Sequence, residues 1–466
     1  MKDKNILLII TDQLTWRALP AYGNSFVKTP NIDRIAKNSV RLEQCYTPCP
    51  LCQPARAAFW SGRYPHQIDV LSNGRNWPVS QLPETIPTLG ETFRNAGYET
   101  VHFGKTHDAG TLRGFTVEPE KELPVEPASP AFPLNFDTFN DRYATVRAVE
   151  FLSGYHWKKP LCMVADLVNP HNICGWVGKN AGIHEDIPTG EPLPPLPENF
   201  DFEDIQNRPL PVQYICCSHN RQAEASGWTP RNYQHYLAAY YHYLTLVDRE
   251  IGLILDALEA TGQWDNTLLV FMADHGDSMV ARGRVTKQVD FYEEVTRVPM
   301  IFHGPGVTPR QDAVPGLASL LDLFPTLCGY AGIPVPAGLP GVDISGVLQT
   351  GQLPARRYVV SQWHTEWGFT VSPGRMLCSG QYKYMRYLEG DSRELYDLAA
   401  DPFEKTNVAQ NAAYAAVVAQ MEALLLQYLS QEQDPFLQMA WRADHRWRSH
   451  TLGYHQHTGP AAPMVK

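Results

Sequence analysis

The segment Asn5–Thr11 is continuously apolar at its centre rather than on alternate residues, and short stretches of the same kind recur at Glu99–Phe103, Leu161–Val168, Thr267–Ala273 and Pro299–His303. Helical patterns separate them, at Asn31–Asn38, Ile86–Ala96, Arg142–Ser153, Tyr233–Thr261 and Ala318–Ala331. A strand apolar on both faces must be covered on both faces. The pattern therefore predicts an α/β fold: a large, mostly parallel sheet flanked by helices. In such sheets the chemistry collects at the carboxyl ends of the strands.

After about Pro334 the rhythm changes. Tyr358–Gln362, Arg375–Cys378 and Tyr382–Tyr387 read as antiparallel strands, Glu394–Leu398 as a turn region and Ala412–Leu429 as a helix. We expect a large α/β domain over residues 1–350 and a smaller C-terminal subdomain over 351–466, with an antiparallel sheet, a helix and a tail. The Pro-rich stretches Leu123–Pro133 and Pro188–Pro197 read as surface excursions near a pocket rim.

At 466 residues and 44% hydrophobic, the chain can bury a large core. Its formal net charge of -10 argues against non-specific binding to nucleic acid or a membrane surface, so neither is expected as a partner. It says nothing about an anionic substrate, because a few cations in one cleft set the local field. No stretch approaches the ~20 apolar residues of a membrane span. The apolar run Ile6–Ile10 is too short for a secretory signal. The expected location is therefore cytoplasmic, an expectation that a trimmed signal peptide would reverse to periplasmic or secreted. Nine unevenly spaced cysteines do not form a disulfide framework.

Three constellations carry chemistry. The first is Pro50-Leu51-Cys52-Gln53-Pro54-Ala55-Arg56, followed by Ser61-Gly62-Arg63. An isolated cysteine is usually a small buried hydrophobe, and Cys45, Cys49 and Cys52 lack a fourth ligand at zinc-knuckle spacing. The second is Asp12-Gln13 at the end of the first strand with Asp274-His275-Gly276 at the end of another. Carboxylate and amide oxygens brought together from neighbouring strand ends suit a hard divalent cation, although a carboxylate after a strand is often only a helix cap. The third is Gly104-Lys105-Thr106-His107, Asn169-Pro170-His171 and Lys287, the last preceding Tyr292-Glu293-Glu294 and Arg297-Val298-Pro299.

Taken together and in this order, these motifs resemble the formylglycine-dependent sulfatases of the alkaline-phosphatase-like superfamily. Thr29-Pro30-Asn31-Ile32-Asp33, Ser319–Thr326 and Asp401-Pro402-Phe403-Glu404 extend the resemblance over most of the chain. It implies that a formylglycine-generating enzyme converts Cys52 to an aldehyde. The aldehyde hydrates, one hydroxyl attacks sulfur, and the second lets the sulfated form collapse and release sulfate. A serine could take the first step only. The resemblance further implies one divalent cation, Ca²⁺ first with Mg²⁺ or Mn²⁺ as alternatives, held by Asp12, Gln13, Cys52, Asp274 and His275. Arg56 and Lys105 would hold formylglycine and sulfate oxygens, His107 would take a proton from the hydrate, Lys287 would bind sulfate and His171 would protonate the leaving oxygen. These residue types suit a transition state that spreads negative charge over oxygens.

Two departures matter. The family commonly carries Asp where this chain has Gln13 and Asn where it has His275. Both variants resemble phosphonate monoester hydrolases of the same superfamily. The implied activity is release of inorganic sulfate from a sulfated small molecule or oligosaccharide, with a sulfated carbohydrate such as a glycosaminoglycan fragment favoured. The competing readings are a phosphonate or phosphate ester hydrolase and a non-catalytic anion-binding relative. Candidate substrate contacts are Asn73, Arg75, Asn76 and Trp77, with Trp363, His364, Trp367 and Trp176. Sugar rings suit aromatic faces beside polar groups; the alternative is that the tryptophans pack the subdomain interface.

Overall fold

The computed structural model describes residues 4–73, 80–121, 123–124, 138–139, 141–180, 192–201, 204–213, 220–287, 290–364 and 372–439. Arg75, Asn76, Trp77 and Trp367 lie outside them, as does most of the two Pro-rich stretches.

The strands in chain order are β1 (Asn5–Asp12), β2 (Ser39–Tyr46), β3 (Glu99–Gly104), β4 (Thr116–Pro119), β5 (Leu123–Pro124), β6 (Thr138–Phe139), β7 (Leu161–Pro170), β8 (Thr267–Ala273), β9 (Arg297–Val298), β10 (Met300–His303), β11 (Val314–Ser319), β12 (Val359–Trp363), β13 (Gly374–Cys378), β14 (Tyr382–Tyr387) and β15 (Arg393–Asp397). Among the described residues nine of them form one sheet in the order β11-β2-β10-β8-β1-β7-β3-β4, with β9 beside β2. The run β8-β1-β7-β3-β4 is parallel, and β10 runs against both β8 and β2. Every residue of β1, β7 and β8 is buried, as continuous apolarity requires.

Helices cover both faces. The longest, Pro230–Ala260, starts with Pro after Thr229, whose hydroxyl accepts from the Asn232 amide in a capping box. It packs on β7 and on the helix Asp141–Gly154.

The strands β12-β13-β14-β15 form a separate antiparallel sheet. Met421, Leu424, Leu425 and Tyr428 of the helix Ala415–Gln431 are buried with Leu377, Tyr384 and Leu395 of that sheet. Its other buried residues, Trp363, Met376, Met385 and Tyr387, share a cluster with Cys49, Leu51, Phe291 and Tyr292. The C-terminal sheet thus backs the segment that leads into Cys52.

Several local expectations shift. Of the expected turn region Glu394–Leu398, all but Leu398 is strand, because β15 buries Glu394 against hydroxyls of Tyr292, Tyr387 and Tyr396 at 2.9, 3.1 and 2.6 Å. The helix expected from Ala318 starts at Leu323. Ala318 and Ser319 end β11, and Asp322 Oδ2 accepts from the Ser319 amide at 2.8 Å to turn the chain. The strand β2 was not anticipated, although Val40 and Leu42 alternate with Arg41 and Glu43. The seven described cysteines are free thiols.

Candidate active site

β1 lies between β7 and β8 in parallel register, with Ile10 beside Asp166 and Thr11 beside Ala273. The three strands end level, so Asp12, the pair Asp274-His275 and the turn Asn169–His171 share one edge of the sheet. β3 adds Lys105 and His107 there, because Gly104 pairs with Asp166. Two glycines permit this closeness. A Cβ on Gly104, whose φ is +110°, would lie 2.0 Å from the Asp166 carbonyl oxygen, and one on Gly276 would lie 1.9 Å from that of Glu294.

The helix Cys52–Ser61 points its N-terminus at the same edge, with Cys52 as its first residue. Leu51 cannot cap it. The Gln53 amide donates instead to Asn73 Oδ1 at 3.0 Å, so Asn73 caps the helix from outside.

Cys52 Sγ lies 3.1 Å from His275 Nε2 and 3.8 Å from Asp12 Oδ1. His107, His171 and Lys287 also reach the thiol. Burial alone would push the thiol up, but Lys287, Lys105 and His275 outweigh it and hold Cys52 well below the usual thiol range. Burial and the Cys52 sulfur push Asp12 up, yet Lys105, His171 and Lys287 keep it below the usual carboxylate range. Burial together with Asp12 raises Asp274 to about 6. Burial and Lys287 push His171 down to about 4.

Arg56 lies one turn beyond Cys52 and is 1% exposed. It donates to Asp166 at 2.7 and 2.6 Å, to Asp274 at 2.9 Å and to Asp12 at 3.3 Å. Its donors therefore tie three carboxylates, Asp12 at the end of β1, Asp166 within β7 and Asp274 after β8, together behind the nucleophile. Lys105 forms an ion pair with Asp12, and Lys287 donates to Gln13 Oε1 at 3.1 Å.

A divalent cation fits this set. The ligand atoms of Asp12, Cys52, Asp274 and His275 all lie within 4.8 Å of one another and all four residues are buried. The Gly276 carbonyl, which can only accept, lies 2.9 Å from His275 Nδ1. Nδ1 therefore carries a proton, and once a cation displaces the second proton that Asp274 and Cys52 favour on the ring, the Nε2 lone pair is the one left to bind it. Hard oxygens from Asp12, Asp274 and Gln13 favour Ca²⁺ or Mg²⁺, and one imidazole admits Mn²⁺.

The other candidates separate. Asn73 stands at the nucleophile helix. Trp363 is 1% exposed and packs against Phe291 and the Gly374 backbone; Trp176 is 3% exposed and packs edge-on to Trp228 and Tyr236. These two tryptophans are core. His364 is buried, with Nε2 3.3 Å from Arg375 Nη2. Sequence reasoning missed Asp166, which also meets His102 at 3.3 Å, and Asp277, Tyr236 and Asp141. A lone carboxylate inside a strand buried on both faces, as in Leu161–Val168, was the signal for Asp166.

A level row of parallel strand ends with a buried cysteine, carboxylates and cations defines a hydrolase of alkaline-phosphatase-like fold. Within that class the chain belongs to the sulfatase family, and it is a sulfatase: the family model for Sulfatase matches residues 4–333, and that for the C-terminal part of N-sulphoglucosamine sulphohydrolase matches residues 285–431. It is 46% identical to a Delta 4,5-hexuronate-2-O-sulfatase of Bacteroides thetaiotaomicron, over 99% of this chain and 96% of the relative. A solved 2-O GAG sulfatase superposes with a TM-score of 0.92 at 45% identity over 99% of each chain. A phosphonate monoester hydrolase of Agrobacterium radiobacter shares the fold, with a TM-score of 0.73 at 23% identity over 93% of this chain and 97% of that one.

Proposed function

We propose that this sulfatase removes a 2-O-sulfate from an unsaturated hexuronate of a glycosaminoglycan fragment, using Cys52 as formylglycine and one divalent cation. The observation that carries the chemistry is the Cys52 thiol held among Lys287, Lys105 and His275 at the N-terminus of its helix. Anions are stabilised at that point before any substrate arrives. The substrate assignment rests on the relative that shares 46% identity across nearly the whole chain.

Formylglycine would supply the attacking hydroxyl and the cation would stabilise charge on sulfate oxygens. The chain's own residues do the rest. Asp12, Gln13, Asp274 and His275 would hold the cation. Lys105 and Lys287 bind sulfate oxygens, and Arg56 keeps Asp12 and Asp274 from repelling one another apart. His107, within reach of the position 52 side chain, takes the nucleophile's proton. His171 is neutral at pH 7 beside Lys287, so it becomes an acid only when the ester's negative charge arrives next to it.

The test uses protein matured in a host with a formylglycine-generating enzyme, treated with chelator and then titrated with Ca²⁺. Ca²⁺-dependent sulfate release from a 2-O-sulfated unsaturated uronate, with an aldehyde mass at position 52, is the expected result. Faster turnover of a phosphonate or phosphate ester with a matched leaving group would move the chain to that branch. No turnover of any ester by matured, Ca²⁺-loaded protein would leave an anion-binding relative.

A further inference from the structure

We propose that Asp277, held by Tyr236, is a positioning residue that dictates which end of the Gln13 amide faces the cation and Lys287. This rests on the reading of Gln13 as a cation ligand. Gln13 is fully buried in a left-handed backbone conformation with φ 66°. Its N–H donates to Asp274 Oδ1 at 3.1 Å and its carbonyl accepts from Tyr240 at 2.7 Å. Those bonds fix the backbone but leave the side chain a choice. The two ends of a primary amide are nearly the same size, and half a turn exchanges them. Only the oxygen can bind a cation or accept from an ammonium group.

Asp277 makes the choice. A carboxylate only accepts, and its Oδ2 accepts from Gln13 Nε2 at 2.7 Å. The amide oxygen is left on the far side, where Lys287 donates to it at 3.1 Å. Asp277 is itself pinned by the Tyr236 hydroxyl, at 2.9 and 2.8 Å from its two oxygens, and by the Met279 amide at 2.8 Å. The same hydroxyl accepts from the Thr286 amide at 2.8 Å, one residue before Lys287. Tyr236, Asp277, Gln13 and the Thr286-Lys287 segment therefore close a buried ring that joins a cation ligand to an anion-binding lysine. The ring also accounts for an amide at position 13. A carboxylate there would meet Asp277 at hydrogen-bond distance, an arrangement that two buried carboxyls hold only by taking up a proton, whereas the amide donates as it stands.

Calorimetric titration of chelator-treated full-length protein with Ca²⁺ tests this on the wild type, Asp277→Asn, Gln13→Ala and the double variant. Asparagine can donate or accept, so Asp277→Asn leaves the amide held only from its oxygen side, by Lys287 and the Cys174 thiol, and should raise the Kd about tenfold or more. On the Gln13→Ala background the same change should alter the Kd by no more than about twofold, since the residue through which Asp277 acts is gone. An unchanged Kd in Asp277→Asn, or the same loss on both backgrounds, overturns the proposal, the latter because it would make Asp277 a simple long-range charge. Failure of the wild type to bind any divalent cation overturns instead the reading of the site on which it rests. Should Asp277→Asn not fold, Tyr236→Phe gives the same comparison: a weaker Kd that depends on Gln13 supports the ring, and a Gln13-independent or absent effect sinks it.

Discussion

Arg56 holds Asp166 through both carboxylate oxygens, at 2.7 and 2.6 Å, in a contact buried between the nucleophile helix and the middle of β7. The same guanidinium reaches Asp274 and Asp12, so the helix that presents Cys52 is locked to three strands through one side chain. Replacing Arg56 with leucine strands three buried carboxylates. Breaking a buried ion pair on one side costs about 3–5 kcal/mol. We expect urea unfolding of the cation-free protein to show a loss of that order, with Ca²⁺ recovering part of it. A loss below about 1 kcal/mol would mean that the carboxylates are already protonated.

Cys52 leads to the second prediction. Cys52→Ala should fall by about a thousandfold or more in kcat/KM, because no other group occupies the nucleophile's position. Cys52→Ser, in a host that leaves serine unconverted, should complete one transfer and stop. Intact mass after incubation with substrate should then show one added sulfate. Steady turnover by the serine variant would contradict the need for a second hydroxyl.

Asp141 gives a pH prediction. It accepts from the Asn169 amide at 3.2 Å and the Asn169 side chain at 2.7 Å, two residues before His171. Burial pushes its pKa up to about 7 despite those bonds. A buried carboxyl raised in this way keeps its proton in the folded state while the unfolded chain loses it. Its contribution therefore falls as pH rises from about 4 to about 7 and is level outside that window. Asp141→Asn has no such proton, so its stability relative to wild type should improve across the same window. Denaturant midpoints of both proteins at pH 4, 5.5, 7 and 8 would check this; a gap independent of pH would refute it.

Lys383 of β14 sets up the last. It binds Glu293 at 3.1 Å and Glu404 at 3.0 Å, both buried, and so joins the C-terminal sheet to the short helix Glu293–Thr296. Lys383→Met removes the cation that the two buried carboxylates share, leaving Glu293 to Arg297 and Tyr46 and Glu404 to the Glu293 amide, and should cost about 3–5 kcal/mol. Glu404, raised by burial to about 7, would then take up a proton more readily. The variant's deficit should therefore shrink as pH falls toward about 7 and owe no further change to this group below it, measured by thermal unfolding.

Much of this was written locally. Continuous apolarity at Asn5–Thr11, Leu161–Val168 and Thr267–Ala273 specified central parallel strands, because only burial on both faces tolerates it. The motifs around Cys52, Lys105, His171 and Asp274 fell at the right places because each follows a strand or opens a helix. Glu394 misled for the opposite reason: a charge in a short segment reads as surface, and its burial depends on hydroxyls from the neighbouring Tyr396 and Tyr387 and the distant Tyr292.

The sequence alone determined the strands β1, β3, β7, β8 and β10 of the large sheet and β12 to β14 of the small one, their order in the chain and the residues that follow their ends, since these depend on side-chain polarity and spacing along the chain. Tertiary structure alone decided that β1 lies between β7 and β8 in level register, that Asp166 belongs to the site, and that Trp363 and Trp176 are core. It also decided that Gln13 is oriented from Asp277 and Tyr236, more than two hundred residues away in the chain. Hydrogen bonds and ion pairs act over about 3 Å in space, and no local pattern encodes which distant residues folding brings within that distance.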